Sequence, residues 1–233
     1  MDTFGNIVTA MVTPFDYKGN IDLAKTTQLV EHLIENGSDS LVVAGTTGES
    51  PTLSTEEKIA LFQHVVKVVD GRAKIIAGTG SNNTYASIEL TKRAEKIGVD
   101  GVLLVSPYYN KPNQQGLYEH FKAIADSTSL PVMLYNIPGR TAVTISIDTI
   151  VKLSEIPNIV AIKESTGDIA AATEIISKTD DQFMLYSGDD YMTLPFLSIE
   201  AKDNVSVAAQ IIGNEKKKMI TANQQREHMK AAQ

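Results

Sequence analysis

The chain has 233 residues, 42% of them apolar, and a formal net charge of −7. That length suits one large α/β domain or two small ones, and the acidic balance argues against nucleic acid and anionic membranes as partners. Without cysteine there is neither a disulfide framework nor thiol chemistry, and no apolar stretch is long enough to span a bilayer.

The N-terminal residues 1–6 lack a basic-then-apolar signal pattern, so the reading is a soluble cytoplasmic protein. Short β-branched runs then recur at 8–12, 40–44, 74–77, 101–105, 132–135, 159–162, 183–186 and 204–208. Their intervals, about 20–35 residues, are those of βα units. Helical periodicity fills the gaps at 23–35, 55–69, 86–97, 116–125, 146–153 and 169–177. Ser54 followed by Glu57 fits a capping box at the second of these helices. A last, polar helix is expected over 214–232, and its Lys216-Lys217-Lys218 reads as a solvated face. His32, His64, His120 and His228 lie far apart without metal-ligand spacing. They read as surface or helix-flank residues, and no metal site is expected.

Eight βα units in one domain, 1–233, predict a TIM (β/α)8 barrel. A doubly wound sheet is the alternative, but it would carry a phosphate-binding glycine turn after its first strand. Here that strand runs into Thr13-Pro14-Phe15. In the barrel, the polar segments at 45–50, 106–110, 135–140, 163–165 and 187–190 all follow strand C-termini, the face where barrel active sites lie.

Lys163 is the most informative residue. It ends the apolar run Ile159-Val-Ala-Ile-Lys163, and a lysine rarely stays in such a run without a task for its amine. Desolvation would hold that amine neutral and nucleophilic. The competing reading is an ion pair with Glu164 or Glu49. Tyr135 ends the preceding strand, within reach of the lysine. Gly45-Thr46-Thr47-Gly48 offers backbone amides and two hydroxyls to an anion, and the guanidinium of Arg140 suits a second carboxylate. Tyr108-Tyr109 could serve the core, an interface or catalysis, and the residues alone do not choose. Together the set reads as a Schiff-base enzyme.

Five ordered motifs carry a resemblance. They are Gly45-Thr-Thr-Gly-Glu-Ser50, Ser106-Pro-Tyr-Tyr-Asn-Lys-Pro112, Tyr135-Asn-Ile-Pro-Gly-Arg-Thr141, Val160-Ala-Ile-Lys-Glu164 and Tyr186-Ser-Gly-Asp189. Over residues 4–220 the chain resembles the dihydrodipicolinate synthase family, also called 4-hydroxy-tetrahydrodipicolinate synthase, in its Gram-positive form. The resemblance implies a lyase of lysine and diaminopimelate biosynthesis that joins pyruvate to aspartate semialdehyde, with no metal or organic cofactor. It implies that Lys163 forms an imine with pyruvate and that Tyr135 is the general acid/base. Thr46 and Tyr109 would complete the proton relay, and Thr47 would hold the pyruvate carboxylate. Arg140 would grip the carboxylate of the second substrate, while Gly188 and the carbonyl of Val205 would line the pocket. Sister families such as N-acetylneuraminate lyase and 2-keto-3-deoxygluconate aldolase share the barrel, lysine and tyrosine. The paired threonines at 46 and 47, and Arg140 after Tyr-Asn-Ile-Pro-Gly, favour the synthase.

The family is homo-oligomeric, and the tyrosine matching Tyr109 reaches into the neighbouring subunit's site. In regulated members lysine binds near the positions matching Ser50, Pro51, Thr55, Lys58, Asn82, Ala86 and Tyr108. Regulated bacterial forms carry histidines and a glutamate at several of these. Here Thr55, Lys58 and Ala86 stand there, so an amine effector would meet a like charge and insensitivity to lysine is expected.

Two departures stand out. Family members continue into further C-terminal helices, and this chain is expected to be a truncated or engineered variant with altered assembly, in which polar residues cover surface the lost helices would bury. The alternative is a catalytically weak barrel scaffold. The eighth strand is also altered: Asp203 and Asn204 are poor strand formers, and Asp203 stands where the family usually has glycine.

Overall fold

The computed structural model describes residues 4–232, so Met1–Thr3 and Gln233, at the ends of the expected 1–233 domain, lie outside it. Eight short parallel strands form because β-branched and aliphatic residues there are buried on both faces, the pattern of a parallel sheet covered by helices. They are β1 (Ile7–Ala10), β2 (Ser40–Val43), β3 (Lys74–Gly78), β4 (Gly101–Val105), β5 (Val132–Asn136), β6 (Ile159–Glu164), β7 (Met184–Ser187) and β8 (Asp203–Ser206). They pair in sequence order and close, β8 returning to β1 through Ile7↔Asn204, Val8↔Val205 and Thr9↔Ser206. The fold is the expected TIM barrel.

Around it run α1 (Leu23–Glu35), α2 (Thr55–Val69), α3 (Thr84–Ile97), α4 (Gln114–Ala125), α5 (Pro138–Thr141), α6 (Ile147–Ser154), α7 (Ile169–Lys178), α8 (Thr193–Leu197), α9 (Ala209–Gln224) and α10 (His228–Ala231). Side-chain caps start most of the long ones: Asp22, Ser54, Asn83, Asn113, Ser146 and Asp168 each accept from a first-turn N–H, worth about 1 kcal/mol apiece. The Ser54–Glu57 capping box is present. The short α5 and α8 carry too few turns to show a period.

Strand alternation divides the core into two. Val8, Ala10, Val42, Ile76, Leu103, Met133, Ala161, Tyr186 and Val205 fill the barrel interior, with Phe4 among them. Leu41, Val43, Ile75, Val102 and Leu134 face outward onto Leu33, Phe62, Leu90, Phe121 and Ile150 from the helices.

Three sequence expectations are corrected. His120 is not a surface residue: it is 6% exposed, and burial pushes its imidazole down to about 4. The Lys216 stretch is not wholly solvated, since Lys216 is 7% exposed and its Nζ donates to Asp190 Oδ1 at 3.0 Å and Thr193 Oγ1 at 3.1 Å. The last helix is two, α9 and α10, parted where Arg226 takes a positive φ of 63°.

Asp203 and Asn204 form a strand despite their low propensity because pairing on both sides overrides it. The cost appears in the side chain. Asp203 is 1% exposed beside Tyr186 of the interior cluster, and among the described residues neither carboxyl oxygen has a hydrogen-bond partner. Burial pushes it up to about 8, outweighing the attraction of Lys216. The folded state therefore binds a proton that the unfolded chain has lost above its ordinary value near 4, so stability falls as pH rises toward 8. The urea midpoint should drop between pH 5 and pH 8.5, and Asp203→Asn should flatten that slope. An equal slope in both proteins would contradict this account.

Candidate active site

The site lies at the strand C-termini, where the loops carry the polar residues. Tyr135 and Lys163 are register partners across β5 and β6, so their side chains enter the barrel together. Lys163 is 5% exposed, and its Nζ stands 4.3 Å from the centroid of the Tyr135 ring. Burial pulls the Lys163 amine down to about 8, assisted by Arg140 and opposed by Asp189 and Asp190. Among the described residues no carboxylate forms an ion pair with it.

The ion-pair reading fails for a structural reason. Glu164 is the next residue on the strand and faces the other way. Its Oε2 accepts from Asn136 Nδ2 at 2.9 Å and its Oε1 from the Thr166 N–H at 2.8 Å. Burial raises its pKa against those two bonds. Asn136 Oδ1 in turn accepts from the Ile145 N–H at 3.1 Å, which pins the segment bearing Arg140. Glu49 is exposed on a left-handed residue, φ 56°.

Burial also raises the phenol of Tyr135, while the hydroxyls of Ser165 and Thr46 pull it back. Beside it opens a cavity of about 290 Å³, lined among others by Thr46, Gly80, Tyr108, Tyr135, Ile137 and Arg140. The glycine turn is held from below: Thr13 Oγ1 donates to the Gly48 carbonyl at 2.6 Å. A side chain at Gly78 would meet the Ala44 carbonyl at 2.2 Å, so only glycine lets these strand ends close up.

The structure thus brings Lys163, Tyr135, Thr46, Arg140 and Gly188 together. Of these, Thr46, Tyr135 and Arg140 line the cavity, Lys163 and Gly188 lie behind Tyr135, and Thr47 is half-buried in the same turn without lining it. Val205 sits in the interior cluster with Tyr135. Tyr109 stands apart from the cavity, 89% exposed at a φ of 73°. Of the positions matched to the lysine-binding region, Ser50, Pro51, Lys58 and Tyr108 line this same cavity. Burial lowers the Lys58 amine. Asp189, Asp190 and Ser165 were given no role from sequence, although Asp189 ends one of the five motifs and the paired acids after β7 were a visible signal. Among the described residues no group of three or more His, Cys, Asp or Glu is placed to hold a metal ion, and no helix is long and apolar enough to cross a membrane.

The sequence matches the Dihydrodipicolinate synthetase family over residues 3–233. The 4-hydroxy-tetrahydrodipicolinate synthase of Bacillus subtilis is 62% identical over 218 residues, 93% of this chain and 75% of that protein. The crystal structure of a dihydrodipicolinate synthase from Bacillus anthracis superposes with a TM-score of 0.97 at 65% identity, covering 98% of this chain and 78% of that one. That of the Acinetobacter baumannii enzyme complexed with pyruvate gives 0.94 at 44% identity, covering 97% and 78%. The chain belongs to the dihydrodipicolinate synthetase family.

Gly188 packs on the Lys163 side chain. A Cβ there would stand 1.7 Å from Ser165 Oγ and 3.0 Å from Lys163 Cε. Gly188→Ala should cost about 1–3 kcal/mol of stability from overpacking and change the reactivity of Lys163 toward acylating reagents. A melt and a reactivity both equal to wild type would refute the packing argument.

Proposed function

We propose that this member of the family condenses pyruvate with L-aspartate 4-semialdehyde to 4-hydroxy-tetrahydrodipicolinate, through an imine on Lys163. The observation that carries the reading is a buried lysine amine, without an ionic partner among the described residues, set against a tyrosine that lines a cavity also lined by a guanidinium. Lysines of lowered pKa are the nucleophiles of Schiff-base enzymes. The pyruvate complex of the Acinetobacter relative supports it.

In this reading neutral Lys163 Nζ adds to the ketone carbon of pyruvate, and the carbinolamine loses water to give the protonated imine. The imine is itself the electron sink, so a methyl proton leaves and an enamine forms. The enamine carbon attacks the aldehyde, whose oxygen takes a proton. The amine of the second substrate then adds to the imine carbon, closes the ring and releases Lys163. Tyr135 carries the protons on and off, with Thr46 as the next hydroxyl. Thr47 holds the pyruvate carboxylate by its hydroxyl and amide. Arg140 holds the carboxylate of the semialdehyde. Gly188 leaves room beside the lysine, and the Val205 carbonyl lines the pocket. The exposed Tyr109 serves the site of a second copy of the chain in a homo-oligomer. On its likeness to the bacterial biosynthetic relatives, the protein's place of work is the cytoplasm.

Turnover with both substrates tests the reading. Wild type should form the product, and Tyr135→Phe should lower kcat by about 10²-fold or more, the scale of general acid–base catalysis. Product formation with the sugar-acid substrates of the sister aldolases, but none with aspartate semialdehyde, would overturn it.

Sensitivity to free lysine is a separate outcome. An amine entering beside Ser50 and Tyr108 meets Lys58, so activity should be unchanged at millimolar lysine. Half-maximal inhibition below millimolar lysine would contradict the like-charge argument.

A further inference from the structure

The substrate cavity does not reach Lys216, yet this residue is among the most deeply buried charges of the chain, 7% exposed. Its Nζ donates to Asp190 Oδ1 at 3.0 Å and to Thr193 Oγ1 at 3.1 Å. Asp190 collects three further donors. Ser206 Oγ reaches Oδ1 at 2.5 Å, and the N–H groups of Val207 and Ala208 reach Oδ2 at 3.1 and 2.9 Å. One carboxylate therefore ties together the loop after β7, the loop after β8 and the helix α9. Burial pushes Asp190 up, but the bonds from Ser206, Ala208 and Lys216 outweigh it, so it stays a carboxylate.

The loop fixed in this way carries Gly188, whose N–H donates to the Glu164 carbonyl at 2.8 Å and whose Cα lies against the Lys163 side chain. We propose that Lys216 is a positioning residue for the site: through Asp190 it seats the Gly188–Asp190 loop against Lys163, and it screens Lys163 from the Asp190 charge. The inference rests on Lys163 being the working amine of the proposed reaction. The groups acting on Lys163 are Tyr135 from β5, Arg140 from α5, and Asp189 and Asp190 from the loop after β7. Those facing Asp190 are Lys216 from α9, Thr193 from α8 beside it, the Ser206–Ala208 donors, the neighbouring Asp189 and Lys163 itself. Lys216 also acts on Asp203.

The test is trace acetylation of Lys163 with acetic anhydride across pH, read by peptide mass spectrometry, alongside turnover of the full chain. In Lys216→Met the remaining three donors keep Asp190 ionised and unscreened. The midpoint for Lys163 should rise by about half a pH unit, which leaves about threefold less reactive amine at pH 7. Lys216→Arg should restore most of the wild-type profile. A folded Met variant with an unmoved or lowered midpoint would overturn the proposal. If the Met variant does not fold, Lys216→Gln keeps a polar side chain beside Asp190 without the charge. Its midpoint should rise above wild type, and an unmoved or lowered midpoint would again overturn the proposal. Failure of the reaction itself looks different, since wild type would then acetylate with the stated profile yet form no condensation product.

Discussion

Desolvation of one amine organises this molecule. In the proposed reaction, Lys163 needs surroundings that penalise its charge while leaving its nitrogen accessible to a small ketone. The closed barrel supplies the burial, because its interior is filled with side chains, and the cavity beside Tyr135 opens among the loops at the strand C-termini. The pull of burial must exceed the opposing field of Asp189 and Asp190, which would otherwise keep the lysine an ammonium. Two of the nearby acids have other partners. Glu164 is occupied by Asn136 and Thr166, and Asp190 by Ser206, two N–H groups and Lys216.

The polar network outside the barrel serves the apolar one inside it. Asn136, Glu164 and Asp190 are buried or half-buried polar groups at strand ends, and each anchors a loop that carries a site residue. Such groups stabilise only when satisfied, and leaving one without its partner costs the full desolvation of the other. Asp203 shows the opposite case. It lies in the barrel wall, and among the described residues neither carboxyl oxygen has a hydrogen-bond partner. The barrel closes around it because eight strands' worth of pairing exceeds one penalty, and the pH dependence of folding is where that penalty surfaces.

Strand and helix positions were legible because each βα unit repeats one pattern, an apolar run followed by an amphipathic helix with a cap such as Ser54. The lysine and tyrosine were legible because a charged and a phenolic group each ended an apolar strand. The single turns α5 and α8 were not, since neither is long enough to carry a period. Lys216 was read as solvated because a triple-lysine run carries no sign of which member turns inward. Its partner Asp190 lies 26 positions earlier, and only closure of β7 and β8 joins them. His120 was misread for a similar reason: its burial comes from α3 packing on α4, where Thr84 meets its Nδ1.

The central claim is that Lys163 is the amine that bonds pyruvate. Intact mass after incubation with pyruvate and borohydride tests it most directly. The account predicts a single reduced pyruvate adduct on the folded chain, mapped to Lys163 and absent from Lys163→Ala. No adduct on folded wild type, or an adduct that persists in Lys163→Ala, would contradict it.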